Sequence, residues 1–142
     1  MRFFVVILAV AVASSLAYDP VFVDELEDLV QNKQDERELE QLDDDDNMIR
    51  SVKKEKLDVI LARQPEFIQK RFEMEVSHEK LRHQQKIQKR IAKTTDPQIQ
   101  EFWRQVEEIN NDMSLSENEA DVKKWELKSK LTSQQRRMLK KD

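Results

Sequence analysis

None of the 142 residues is glycine, where average usage of about 7% would give roughly ten. Glycine enters left-handed backbone at no steric cost, so tight two-residue hairpins and phosphate-cradling loops both lose their usual occupant. A strict Walker loop, a dinucleotide-binding fingerprint and a calcium hand with its central glycine are thereby excluded. An amidated-peptide precursor is disfavoured for the same reason, although Lys53-Lys54, Lys70-Arg71 and Lys89-Arg90 look like processing pairs. Leu, Ile, Glu, Gln, Lys and Arg dominate instead, and this helix-forming palette predicts an all-α chain.

The N-terminal end predicts the compartment. Arg2 supplies a short positive start, Phe3 to Ala13 an unbroken apolar run, and Ser15-Leu16-Ala17 the small residues that precede a cleavage site at Tyr18. Residues 1–17 therefore read as a secretory signal peptide, with a mature extracellular product from Tyr18 to Asp142. As a helix, the apolar run rises only about 16 Å, short of the roughly 30 Å hydrocarbon layer, so a retained anchor is not expected. A secreted chain of this size is often stapled by disulfides, but this one has no cysteine, so packing alone must hold its core.

Charge divides the mature chain. Residues 19–46 hold thirteen acidic and two basic side chains, net −11, whereas residues 47–142 hold sixteen acidic and twenty-two basic, net +6. We expect solvated helix faces of opposite sign that attract within or between molecules. The expected organisation is an acidic helical segment at 18–46 and a helical bundle at 47–142 that share one core.

Three prolines mark helix starts, at Asp19-Pro20, Gln64-Pro65-Glu66 and Asp96-Pro97, because proline at the first helical position gives up no intrahelical bond. Two more starts come from capping boxes, Ser116 with Glu119 and Thr132 with Gln135. Between these marks the spacing predicts helices over about 20–31, 34–43, 48–62, 65–93, 97–109 and 117–130, with a short terminal helix from 133. Ile99, Phe102, Trp103, Val106 and Ile109 fit the i, i+3, i+4, i+7 template most closely. Short connections imply antiparallel neighbours, in a compact bundle of about five to seven short helices.

From Pro65 onward a resemblance emerges. A Pro65-Glu66-Phe67 start on a long charged helix is followed by the Ile99-Gln100-Glu101-Phe102-Trp103 helix, which ends in Glu108-Ile109-Asn110-Asn111-Asp112-Met113-Ser114-Leu115-Ser116-Glu117-Asn118-Glu119. A short helix then runs into Leu131-Thr132 and a final Gln135-Arg136-Arg137-Met138-Leu139. This order resembles the SXP/RAL family of small secreted nematode antigens over roughly residues 65–140. The resemblance implies a helical body that is EF-hand-like in arrangement in some members, with divalent-cation binding proposed. It also implies an abundant secreted immunogen or allergen with no enzymatic activity. The acidic helix and the Asp43–Asp46 run depart from that pattern.

Candidate sites follow from residue chemistry. In Asp43-Asp44-Asp45-Asp46-Asn47, the oxygens of Asp43, Asp45 and Asn47 fall at alternate positions, as in a calcium loop, but Met48 takes the glycine position and Lys54 the place of the closing carboxylate. Sliding one residue brings Glu55 to the closing place and puts Met48 among the ligands. The expectation is weak, hydrated Mg²⁺ or Ca²⁺ binding rather than a sensor site, with a solvated acidic linker as the plainer reading. Asn110, Asp112 and Ser114 form a second alternating set, closed by Asp121, with Leu115 at the glycine position. A turn followed by a capping box explains the same residues and is the reading preferred here.

His78 and His83 are five residues apart, about 140° around a helix, and cannot share a metal. Ser77 beside His78 makes no dyad, so an enzyme is not expected. Trp103, Trp125, Phe67, Phe72 and Phe102 read as core, or alternatively as the lining of a fatty-acid or retinoid cavity. The basic run from Lys70 to Lys93 lacks interleaved stacking aromatics, which disfavours nucleic acid, and its simplest partner is the acidic N-terminal segment, in the same chain or in a dimer partner. The ligands left open are a divalent cation, an extracellular protein or self-association, and a lipid, with no membrane span.

Overall fold

A computed structural model describes residues 18–140, and the expected signal peptide lies outside the described residues. Seven α-helices follow one another among them: α1 Val23–Glu27, α2 Lys33–Asp44, α3 Arg50–Ala62, α4 Glu66–Ala92, α5 Pro97–Asn111, α6 Glu117–Ser129 and α7 Ser133–Met138. The chain is an all-α compact bundle, as its residue palette requires. Its extended pairing among the described residues is an isolated antiparallel bridge between Ile49 and Ser116.

Capping chemistry sets most of the starts. The Asn32 side chain accepts from the Gln34 amide at 2.7 Å to open α2, and the Asp96 carboxylate accepts from the Gln98 amide at 2.9 Å with Pro97 at the head of α5. Both capping boxes form: Ser116 and Glu119 satisfy each other's amides at the head of α6, as do Thr132 and Gln135 at α7. Pro20 does not begin a helix. The Asp19 carboxylate accepts from the Val21 and Val23 amides at 2.8 and 3.2 Å, and Phe22 takes left-handed backbone at φ 63°, so α1 is delayed to Val23. A non-glycine residue in that region costs about 1–2 kcal/mol. Complete burial of Val23 and near-complete burial of Phe22 offset it.

Two apolar clusters fill the interior. The first joins Val21, Phe22, Val23 and Leu26 with Leu39 and Leu42 of α2, Leu57 and Ile60 of α3, and Ile68 and Phe72 of α4. The second joins Ile87 of α4 with Ile99, Phe102, Trp103 and Val106 of α5 and with Leu131. The long helix α4 thus spans both. The acidic segment is packed, since it supplies six of the ten residues of the first cluster. In α3 the buried apolar pair is Leu57 and Ile60, whereas Ile49, Val52 and Val59 face solvent. No helix among the described residues is long and apolar enough to cross a membrane.

Candidate functional site

The two candidate cation segments are the turns of two helix–loop–helix units, α2–α3 and α5–α6, and these turns lie against each other. The first runs from Asp45 to Ile49 and the second from Asp112 to Ser116, and their hydrogen bonds are reciprocal. The Ser51 amide donates to the Met113 carbonyl at 2.9 Å, and the Asn118 amide donates to the Asp46 carbonyl at 3.0 Å. The Arg50 amide adds a bond to the Leu115 carbonyl at 2.9 Å, and Asn118 Nδ2 donates to Asn47 Oδ1 at 2.6 Å. Each turn begins with the same device: the Asp45 carboxylate accepts from the Asn47 amide at 3.2 Å, and the Asp112 carboxylate from the Ser114 amide at 2.9 Å.

A charged side chain occupies the middle of this junction. Arg50 is fully buried, with 0% exposure. Its Nε and Nη2 donate to the two carboxylate oxygens of Glu117 at 2.7 and 3.3 Å, and its Nη1 donates to the carbonyls of Ile109 and Asp112 at 2.7 and 3.1 Å. The C-terminal carbonyls of a helix lack intrahelical donors and carry partial negative charge, so a guanidinium among them satisfies hydrogen bonding and dipole together. The second turn therefore already holds a cation, covalently tethered from the first helix–loop–helix unit. Lys53 and Lys124 are also buried, and burial pushes the Lys124 ammonium below its ordinary pKa despite Asp121 nearby.

The sequence-predicted ligands are dispersed around this junction. Asp43 lies in the last turn of α2 and is pushed up to about 6 by desolvation and by the charges of Asp24 and Asp19, which outweigh the opposing charge of the buried Lys53. Asp45 is engaged with the Asn47 amide, and the Asn47 oxygen with Asn118. In the second set, Ser114 holds the Asp112 carboxylate from its hydroxyl at 2.6 Å and from its amide, which lowers the carboxyl's pKa. Asn110 is buried with its Nδ2 3.3 Å from His83 Nε2, and its Oδ1 has no partner. Among the described residues no three Asp, Glu, His or Cys side chains converge in a way that could hold a metal ion.

The two histidines are separated as their spacing requires. His83 is half-buried, stacked on Tyr18 with ring centroids 3.8 Å apart, and its pKa is lowered by desolvation and by Lys124, Arg90 and Lys86. His78 is exposed beside Met74. The Ser77 hydroxyl donates to the Glu73 carbonyl one turn back at 3.0 Å. Depressions between α2 and α3, at Tyr18 and His83, and beside Met74 have volumes of about 430, 560 and 360 Å³, and charged side chains contribute to the lining of each.

Of the aromatic residues read as core, Phe72, Phe102 and Trp103 are buried, while Phe67 and Trp125 stand in solvent. Arg90 covers the Trp103 ring at 4.5 Å, an additional cation–π contact. In comparisons with known proteins, no family model matches the chain, and neither a curated protein nor a solved structure matches it. Sequence reasoning missed Arg50, Lys53 and Lys124, because nothing local distinguishes a buried cation from a solvated one.

Proposed function

We propose that this chain is a secreted, non-enzymatic helical binding protein of the SXP/RAL type, which acts by docking an extracellular protein on its outer apolar surface. The observation that carries the reading is Trp125 of α6, 69% exposed, with the exposed Val122 one turn before it. A tryptophan is among the costliest side chains to leave in water, and at interfaces it is among the commonest to dominate binding energy. The leader-like N-terminus and the pattern of residues 65–140 support the extracellular part of the reading. Its non-enzymatic part rests on the employment of Ser77 and His83 in structural contacts. The charged linings of the depressions favour a protein over a lipid, and the tethered guanidinium favours it over a divalent cation.

The test uses a Trp103→Phe variant, in which Trp125 is the sole tryptophan and is excited selectively over Tyr18. Extracellular protein fractions from the source should blue-shift its emission and protect it from acrylamide, whereas Ca²⁺, Mg²⁺ and a fluorescent fatty acid should leave it unchanged. Saturable fatty-acid binding, or a Trp125 that stays fully quenchable in every protein fraction, would overturn the reading.

A further inference from the structure

Helix α4 buries Ile68, Phe72 and Ile87 on one side and leaves Phe67, Met74 and Leu81 62%, 55% and 54% exposed on the other. Steps of seven residues drift only about 20° on a straight helix, so the three form one stripe about 21 Å long. Single apolar residues are scattered over any surface, but three large ones in register mark a contact face. Beside the central residue lies a depression of about 360 Å³ lined by Arg71, Met74, Glu75, His78 and Arg82. The first four of these stand at i, i+3, i+4 and i+7, the arrangement that receives a knob from a facing helix.

The stripe is symmetric about Met74, and that symmetry identifies the occupant. Laid antiparallel on a second copy of itself, α4 sets Met74 on a two-fold axis and opposes Phe67 to Leu81 of the other chain, so every apolar residue meets an apolar residue. Each Met74 then stands level with the other's depression. Charge agrees with this partner. Residues 66–82 carry four acidic side chains, Glu66, Glu73, Glu75 and Glu79, and four basic ones, Lys70, Arg71, Lys80 and Arg82, and this register sets Glu66 level with Arg82 of the other chain at both ends, which offsets Glu73 level with Glu75 beside the axis. An anionic membrane or a polyanion would call for an excess of positive charge. On α4 that excess lies further along, at Lys86, Lys89 and Arg90.

We propose that the protein self-associates as an antiparallel two-fold dimer through Phe67, Met74 and Leu81 of α4. Three anchors per chain bury less than the roughly 1,200 Å² of a standard stable interface, so the dimer is weak and forms with rising concentration. This pairing involves a different helix from Trp125 and stands independently of the docking function.

The absence of native cysteine gives a clean background for its test. Under mild oxidation, Met74→Cys should cross-link to itself, because the axis brings the two Cα atoms within disulfide reach. Phe67→Cys and Leu81→Cys should each stay monomeric alone and cross-link when mixed. Self-linking of all three variants would overturn the antiparallel register. A Met74→Cys protein that stays monomeric at about 0.5 mM, with its thiol reactive and its helical circular dichroism intact, would overturn the interface itself. In sedimentation, Met74→Glu should abolish the concentration-dependent dimer of the unmodified protein, and an unmodified protein that is monomeric throughout would count equally against it.

Discussion

Replacing Arg50 with methionine keeps the aliphatic stem and removes the guanidinium that ties the two turns together. The structure specifies the loss: two charge-assisted bonds to Glu117 and one each to the carbonyls of Ile109 and Asp112. Net values of about 1.5–3 kcal/mol per charged hydrogen bond would sum to more than the fold can spare, but the Glu117 side chain is 22% exposed and regains water when abandoned. One-sided disruption of a buried ion pair costs about 3–5 kcal/mol, and the partial exposure of Glu117 places this case near the lower end, at about 3 kcal/mol. With a urea slope of about 1.5 kcal/mol/M, the unfolding midpoint should fall by about 2 M, read by far-ultraviolet circular dichroism at pH 7. The double variant Arg50→Met/Glu117→Leu should recover part of the loss, because it removes both charges together. A single Arg50→Met variant that loses less than about 1 kcal/mol, or a strictly additive double variant, would refute the view that this guanidinium organises the junction.

Asp43→Asn should stabilise the protein at pH 7 by about 1 kcal/mol once solvent screening is allowed for, since it removes a charge that is partly desolvated and crowded by Asp24 and Asp19, against a smaller attraction to Lys53. The native carboxyl is raised from 3.8 to about 6, so its protonated form favours the fold below 3.8 and that contribution is lost as pH rises through about 6; the benefit of the substitution should therefore fade on acidification, as urea midpoints at pH 7 and pH 4 would show. His83 has the opposite sign: its folded pKa lies below 6.5, so the stability it contributes is present above 6.5 and declines as pH falls toward the folded value, and its imidazole NMR signals should titrate with a midpoint below 6.5. Thr132→Ala and Ser116→Ala should each cost about 1 kcal/mol in urea unfolding through loss of a capping box. Trp125→Phe should remove most of the acrylamide-quenchable fluorescence, because Trp103 is buried.

Features encoded by neighbouring residues were legible in the sequence. The apolar spacing of Ile99, Phe102, Trp103, Val106 and Ile109 identifies the inward face of α5; the first four are buried and Ile109 is half-buried. Both capping boxes form with the expected partners, since each needs only two residues three apart. Asp96-Pro97 opens α5 with proline at the first helical position, whereas Pro65 stands one residue earlier, as the N-cap of α4. Pro20 opens no helix, because the Asp19 carboxylate accepts from the Val21 and Val23 amides and diverts the backbone into a turn before α1.

The junction was not legible because its partners are remote in the chain. Arg50 and Glu117 are 67 residues apart, and neither differs locally from the charged residues around it. The apolar register of α3 misleads for a related reason: Val52 and Val59 satisfy a periodicity, but the cluster that α3 joins lies on the side of Leu57 and Ile60. Phe67 and Trp125 read as core on hydrophobicity alone, and only the fold reveals that the interior is filled without them.

The central claim is that the paired turns hold the fold together while exposed apolar helix faces do the binding. The most direct test is a ¹H–¹⁵N NMR titration of the protein at physiological salt, with Mg²⁺ and Ca²⁺ to several millimolar and then with an extracellular protein fraction that protects Trp125. The account predicts that the amides of 43–51 and 109–121 stay in place with either cation, and that the Trp125 indole and its α6 neighbours move with the protein. Saturable shifts confined to the amides of Asp112 and Ser114, or of Asp45 and Asn47, on adding a cation, with Trp125 unmoved by protein, would contradict it.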